Sequence, residues 1–247
     1  MSLLIGSVFM DHPRSKIWYD LQIKYIKDTT NDFKHIVYLN GQNNFYKESE
    51  VIKVNCTNAS DGQYSHIRGL NEIIDYFKVH KEYDNLLLID SDCFPFRSWE
   101  KDLQFNIKNK FGIAAIARYE NLDTFAHPSF FYATREQVEN LKFDKRSNIN
   151  IVGHEFKDTS SNLKESFYPL IRSNKINYHP VLCGVYWNRI YHHGAGSRNL
   201  EFRLFYHYFN ENNNVSNLEK KLFEELTDNS DKFIKKISLP VFTRKLY

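Results

Sequence analysis

The sequence predicts an α/β fold: a mostly parallel central sheet with helices on both faces and a helical C-terminal tail. Three observations predict it. Apolar runs without polar alternation, Leu3 to Phe9 and Leu86 to Ile89 above all, mark strands buried on both faces. Segments of 3.6-residue periodicity lie between such runs, and strands alternating with helices build parallel sheets through right-handed crossovers. No repeat, linker or low-complexity stretch divides the 247 residues, a length sufficient for one large core.

Leu3 to Phe9 is the first strand, since it is too short for a signal peptide and lacks a basic flank. Asp11-His12-Pro13-Arg14 is the loop at its carboxyl end. Ser15 to Ile26 reads as an amphipathic helix with Ile17, Leu21 and Tyr25 facing inward and Trp18 and Ile26 beside them. His35 to Leu39 is a second strand, stopped by Asn40-Gly41, and Val51 to Val54 a short third. The polar loop Asn58 to Tyr64 leads into a helix from Ser65 to Val79. Ile67, Leu70, Ile73, Ile74 and Phe77 make its inner face, with Arg68, Asn71, Glu72, Asp75 and Lys78 outward. Gly69 inside that helix costs about 1 kcal/mol against Ala unless a close backbone contact requires it. The Leu86 to Ile89 strand follows directly. Ser98 to Ile107 is a surface helix and Gly112 to Ala117 another buried strand. Phe125 to Ala133 runs into Thr134-Arg135-Glu136-Gln137, the pattern of a capping box that opens a helix. Gly153 to Thr159 precedes a helix expected through Asn174. Asn199 to Tyr208 and Ser216 to Leu226 are the C-terminal helices, the second opened by a Ser216/Glu219 capping box.

Hydrophobic content of 42% and charged content of 26% are those of an ordinary soluble domain. A net charge of +3 without any recognition motif argues against nucleic acid as a partner. The 20 Phe and 16 Tyr suit planar or sugar ligands and equally fill cores. Cys56, Cys93 and Cys183 are odd in number and form no Cys-x-x-Cys pair, so reduced thiols in the cytoplasm are expected, not a disulfide framework or zinc site. In that setting the glycosylation triplets at Asn55, Asn58 and Asn214 are chance matches. No run approaches a membrane span. Arg203, His207, Lys220, Lys221, Lys235 and Lys236, with the aromatics around them, make either a solvated helical face or an edge that rests peripherally on a membrane.

The chemistry centres on Asp90-Ser91-Asp92, where the Leu86 to Ile89 strand runs out and Pro95 prevents a simple continuation. Ligands of open α/β sheets bind just beyond the carboxyl ends of strands. Two carboxylates there repel unless a cation lies between them, and a divalent ion carrying phosphate oxygens meets that need. The other reading is a solvated turn after a core strand. A second segment, Trp187 to Arg198, contains His192-His193-Gly194-Ala195-Gly196-Ser197-Arg198. One imidazole completes a metal's coordination, the glycines admit a diphosphate, and Arg198 meets its charge; otherwise it is a tight glycine turn between surface histidines.

Asp61-Gly62, Leu70-Asn71 and Leu86 to Asp92, in that order and separation, resemble the nucleotide-sugar half of GT-A glycosyltransferases over residues 1–135. The resemblance implies a GT-A-like domain with an acceptor half over 136–198 and C-terminal helices over 199–247. It implies an Asp-x-Asp site in which Asp92 ligates Mn2+ or Mg2+ and Asp90 contacts the ribose or the metal. Val8, Asn40 and Asp61 would lie near the base, and Ser91 and Arg68 complete the donor contacts. His193 and Gly196 are similar to the His-x-x-Gly-x-x-Lys segment of glycogenin-like transferases, which makes His193 a metal ligand. Arg198 stands where that pattern has Lys, one residue early. Asp158, or Glu155 beside it, lies where GT-A enzymes commonly keep the base that an inverting transfer needs, although Asp158 also reads as a helix cap. His127 reads as a substrate contact or as a structural residue before Pro128.

The expected function is therefore transfer of a sugar from a nucleoside-diphosphate sugar to a hydroxyl of a glycan or lipid-linked glycan. A sugar-nucleotide pyrophosphorylase or other nucleotidyltransferase is the first alternative, but it opens with a Gly-rich basic loop where this chain has Gly6 alone. A haloacid-dehalogenase-type phosphatase wants Thr or Val where Phe94 stands, and a non-catalytic sugar-binding module would keep the aromatics without a metal.

Overall fold

The computed structural model describes residues 2–54, 62–107, 111–119, 125–143, 148–151, 154–157, 167–174, 182–194 and 214–238. The first part of the chain forms β1 (Leu3–Met10), α1 (Ser15–Thr29), β2 (Phe33–Asn40), β3 (Glu50–Val54), α2 (Gly62–Val79), β4 (Asn85–Asp90), β5 (Cys93–Pro95) and α3 (Glu100–Ile107). There follow β6 (Ile113–Ala117), β7 (His127–Thr134), α4 (Arg135–Val138), β8 (Asn148–Ile151), β9 (His154–Lys157) and β10 (Tyr168–Ile171). The last are β11 (Gly184–Tyr186), β12 (Ile190–His192), α5 (Asn214–Asp228) and α6 (Ser230–Ser238).

Among the described residues the main sheet has the order β10-β6-β7-β4-β1-β2-β3. β1 is parallel to β2 and β4 on its two sides, β3 to β2, and β10 to β6. β7 alone is reversed, antiparallel to both β4 and β6. The sheet is thus mostly parallel, as its apolar runs predict, with one antiparallel strand. A second sheet, β11-β12-β5, is antiparallel, and β8 and β9 form a separate two-stranded sheet.

Strand side chains alternate between faces, so an unbroken apolar run needs a cover on each side. In β4, Leu86 and Leu88 meet Leu4, Ile73 and Phe77 on the α2 side. Leu87 and Ile89 meet Ile26, Trp99, Leu103 and Ile107 on the other. α2 lies close on the sheet because of two glycines. A Cβ on Gly69 would stand 2.8 Å from side-chain atoms of Val8 and Tyr38, and one on Gly6 would collide with Ile73. That approach is the packing gain that offsets the poor helix propensity of Gly69.

Four sequence expectations are corrected. The buried stripe of α1 is Trp18, Gln22, Tyr25 and Thr29 with Tyr19, Ile23 and Ile26, while Ile17 is 38% exposed. The stripe is rotated because two polar residues on it find buried partners; Thr29 Oγ1, for one, donates to Tyr25 O at 2.7 Å. Thr134 makes no side-chain cap, and α4 is a single turn whose Gln137 lies against Gly112 instead. The segment before Asn174 is not helical over Tyr168–Ile171 but forms β10 at the end of the sheet. Pro169 is tolerated there because an edge strand can spare a donor. α5 starts at Asn214, so Ser216 is not its cap, and Glu219 is turned into the interior with 1% of its side chain exposed.

α5 and α6 complete a third cluster, in which Leu222, Phe223, Leu226, Phe233 and Ile237 pack with Trp18, Phe94 and Tyr191. Cys93 and Cys183 are buried and free, whereas Cys56 lies outside the described residues, as does the helix expected over Asn199 to Tyr208. No helix of the described residues is long and apolar enough to cross a membrane.

Candidate metal centre

β4 leaves the main sheet at Asp90, and after Ser91-Asp92 the chain enters the second sheet as β5. There β5 pairs with β12 so that Cys93 stands opposite His192. The pairing is continued by the His193 amide, which donates to Asp92 O at 3.0 Å. The result brings the His192 side chain to the two carboxylates. Its Nε2 lies 3.6 Å from Asp92 Oδ1 and 3.8 Å from Asp90 Oδ2. Among the described residues, Asp90, Asp92 and His192 form a group that could hold a metal ion, with one ligand atom from each lying within 4.8 Å of the others. Two carboxylate oxygens and one imidazole nitrogen are a donor set that divalent cations accept.

His192 is ready for that role. Burial lowers its pKa, and Arg118 and His193 add to the depression against the upward pull of Asp92 and Asp90. The neutral imidazole, which is the metal-binding form, is therefore present at neutral pH. His66, on the inner face of α2, adds a second ring: its Nε2 is 3.1 Å from Asp90 Oδ1. His127, at the start of the reversed strand β7, has its ring 6.0 Å from that of His192. The Ser129 amide donates to His127 Nδ1 at 3.2 Å, so in the neutral ring Nε2 carries the proton.

His193 is directed away from this group. Adjacent strand residues face opposite sides, and the register of β12 gives the carboxylates to His192. His193 is fully buried, with Nδ1 2.7 Å from Tyr191 Oη and Nε2 3.1 Å from Glu219 Oε1. Arg14, from the loop after β1, pairs with the same carboxylate. Burial opposes the imidazolium, but the Cys183 sulfur, Glu219 and Asp92 outweigh it and hold the pKa at about 9. The candidate ligand of the pair is thus His192, and His193 is an anchor for α5. Gly194, at φ +71°, ends the described segment in a left-handed conformation suited to glycine.

Of the other expected site residues, the structure describes Ser91, Val8, Asn40 and Arg68. Ser91 is buried between the aspartates. Val8 sits opposite Asp90 in the ladder but is buried under Gly69 of α2. Asn40 is half-buried at the end of β2, where its carbonyl accepts from the Asp11 amide at 3.2 Å. Arg68 points outward, 3.9 Å from Glu72. Asp61, Asp158 and Arg198 lie outside the described residues, Asp158 immediately after β9.

Sequence reasoning passed over His66 and Arg118. His66 precedes Leu70 by four residues, so helical periodicity carries it onto the inner face at the start of α2. Arg118 is the first residue beyond β6, at the carboxyl edge that β4 shares.

No protein-family model and no curated protein matches the sequence. Among solved structures the chain is similar to one described as the crystal structure of A197 from STIV, at 12% identity and a TM-score of 0.39. The similarity covers 78% of this chain and 95% of that one, and at this level it bears on neither family nor function.

Proposed function

We propose that the chain is a metal-dependent glycosyltransferase, moving a sugar from a nucleoside-diphosphate sugar to a hydroxyl acceptor. The observation that carries the reading is the convergence of Asp90, Asp92 and His192 at the carboxyl end of β4. That edge is where open α/β sheets bind nucleotides and other ligands. A mixed oxygen and nitrogen set suits Mn2+ better than Mg2+, which takes oxygen ligands almost throughout. Held by Asp90, Asp92 and His192, a divalent cation would supply positive charge against a departing diphosphate. The chain's own groups divide the remaining work. His192 offers a neutral nitrogen, His66 lies beside Asp90, and Arg118 supplies a charge that never titrates. Asp61 and Arg198 are proposed as donor contacts, and Asp158 as the base for the acceptor hydroxyl.

The test is a thermal-shift screen of nucleotide sugars with and without Mn2+. A ligand at 100 times its dissociation constant stabilises the native state by about 2.7 kcal/mol. In a chain of this size that raises the melting temperature by roughly 5–10 °C. The donor that responds only with Mn2+ should then be hydrolysed or transferred in the same buffer. A set of nucleotide sugars that never responds to Mn2+ overturns the reading. Turnover of nucleoside triphosphate with a sugar phosphate would move it to a nucleotidyltransferase.

A further inference from the structure

The inner stripe of α1 carries an amide at its centre. Gln22 is fully buried, and its Nε2 donates to Asp90 O at 2.8 Å and to Cys93 O at 2.9 Å. Those two carbonyls bracket the Asp90–Asp92 turn, one where β4 ends and the other where β5 begins. On its other side Gln22 Oε1 accepts from Ser7 Oγ at 2.8 Å. The amide cannot be turned over, because Oε1 would then face two carbonyl oxygens.

The remaining hydrogens follow by elimination. Ser7 spends its single hydrogen on Gln22, so His35 Nε2 donates to Ser7 Oγ across 3.0 Å. Burial lowers the pKa of His35 to about 3, so the ring is neutral and its Nδ1 bare. Ser49 Oγ therefore donates to that nitrogen at 2.7 Å. The Tyr19 hydroxyl, which accepts from the Glu48 amide at 3.0 Å, donates to Ser49 at 2.8 Å. The chain of hydrogen bonds has one direction from Tyr19 to the Asp90 carbonyl. Both Gln22 donors and its acceptor are satisfied. A buried amide left partly unpaired would cost free energy at a position where Leu or Met would pack as well.

We propose that Gln22 is the positioning residue of the Asp90–Asp92 turn, holding its backbone so that both carboxylates face His192, with Ser7 and His35 locking the amide. Its geometric part stands alone; its consequence for metal affinity rests on the metal reading above.

The experiment measures two quantities on the full chain: hydrogen exchange of the 91–93 amides without metal, and Mn2+ affinity by electron paramagnetic resonance titration. The variants are Gln22→Met, Ser7→Ala and, as a control, Thr30→Val. The control removes a buried acceptor from Trp99 Nε1, 2.9 Å away and outside the metal group. Gln22→Met should speed exchange in the turn by about tenfold or more. It should weaken Mn2+ binding by about 10–100-fold, the usual effect of losing a group that orients metal ligands. Thr30→Val should lower the melting temperature and move neither readout. Unchanged exchange in the turn, or an equal effect in Thr30→Val, overturns the proposal. Should wild-type protein take up no Mn2+, the metal reading fails by itself, and the exchange rates still decide the role of Gln22. Should Gln22→Met not fold, Ser7→Ala frees one side of the amide and should speed the same amides by a smaller factor; wild-type rates there overturn the proposal.

Discussion

Glu219→Gln tests whether charge fastens α5 to the strand that carries His192. Hydrogen bonds from His193 and Arg14 hold the Glu219 carboxyl below its ordinary pKa, against the upward push of burial. Its side chain is 1% exposed, and that of His193 is fully buried. Glutamine keeps the volume, and its amide oxygen can still accept from both groups where Oε1 does now, but it carries no charge. It leaves the imidazolium and the guanidinium without a counter-charge. Removing one partner of a buried ion pair costs about 3–5 kcal/mol. Arg14 retains 26% exposure, so water stabilises part of its charge, and the lower end of that range, about 3 kcal/mol, is expected. For a chain of this length the melting temperature should fall by roughly 6–12 °C. Urea denaturation followed by tryptophan fluorescence reads the change directly, since the Trp18 ring is 4.9 Å from that of His193. Replacing all three charged groups together (Arg14→Met, His193→Leu, Glu219→Leu) should restore most of the loss, because no charge is then left unpaired. A Glu219→Gln protein within about 0.5 kcal/mol of wild type, the scatter of neutral surface changes, would show that apolar contacts alone hold the helix.

Four further outcomes are expected. Asp92→Asn should fold normally and lose Mn2+-dependent stabilisation in a thermal-shift assay; stabilisation equal to wild type would remove Asp92 from the site. His192→Ala should lose the same response, while His193→Ala should lower the melting temperature and leave Mn2+ binding in place. In Gly69→Ala the new methyl meets Val8 and Tyr38, so overpacking of about 1–3 kcal/mol should exceed the propensity gain of about 1 kcal/mol, and urea denaturation should show net destabilisation. The pH dependence should carry the mark of His35. Its folded pKa of about 3 lies below the ordinary 6.5, so its contribution is whole above pH 6.5 and lost as pH falls from 6.5 towards 3. Between pH 7 and 4 wild type should lose roughly 3 kcal/mol more than His35→Gln, and parallel profiles would show that the ring is charged in the folded state.

The strands of the sheet were legible because burial on both faces leaves a local mark, an apolar run without alternation. Asp90 and Asp92 were legible for a related reason: two carboxylates directly after such a run can only lie at the end of a strand. Which histidine joins them was not. Alternation says that His192 and His193 face opposite ways, but the choice depends on the pairing of Cys93 with His192, set by residues distant in sequence. Gln22 was hidden by its polarity. A hydrophobicity pattern assigns an amide to solvent, whereas here the interior supplies the two carbonyls and the hydroxyl that satisfy it. β10 was misread because Tyr168-Pro169-Leu170-Ile171 is too short for periodicity to separate strand from helix, and Pro169 points away from a central strand without excluding an edge. Glu219 fits the capping-box spacing from Ser216, and only the buried imidazolium of His193 and the half-buried guanidinium of Arg14 draw it inward.

The joining of Arg14 to Glu219 spans 205 positions of the chain, and it has a kinetic consequence. Contacts between remote segments form late, because the entropy of closing the intervening loop is lost before the contact rewards it. Asp90 and Asp92 come from one short stretch and stand ready as soon as β4 has paired. The imidazole arrives only when β12 has docked on β5, with α5 clamped behind it through His193. During refolding a cation held by this group would therefore meet first a site of two carboxylates and only later one with nitrogen. If the group takes Mn2+ as proposed, full affinity should appear with the slowest folding phase, and Mn2+ uptake would then time completion of the fold.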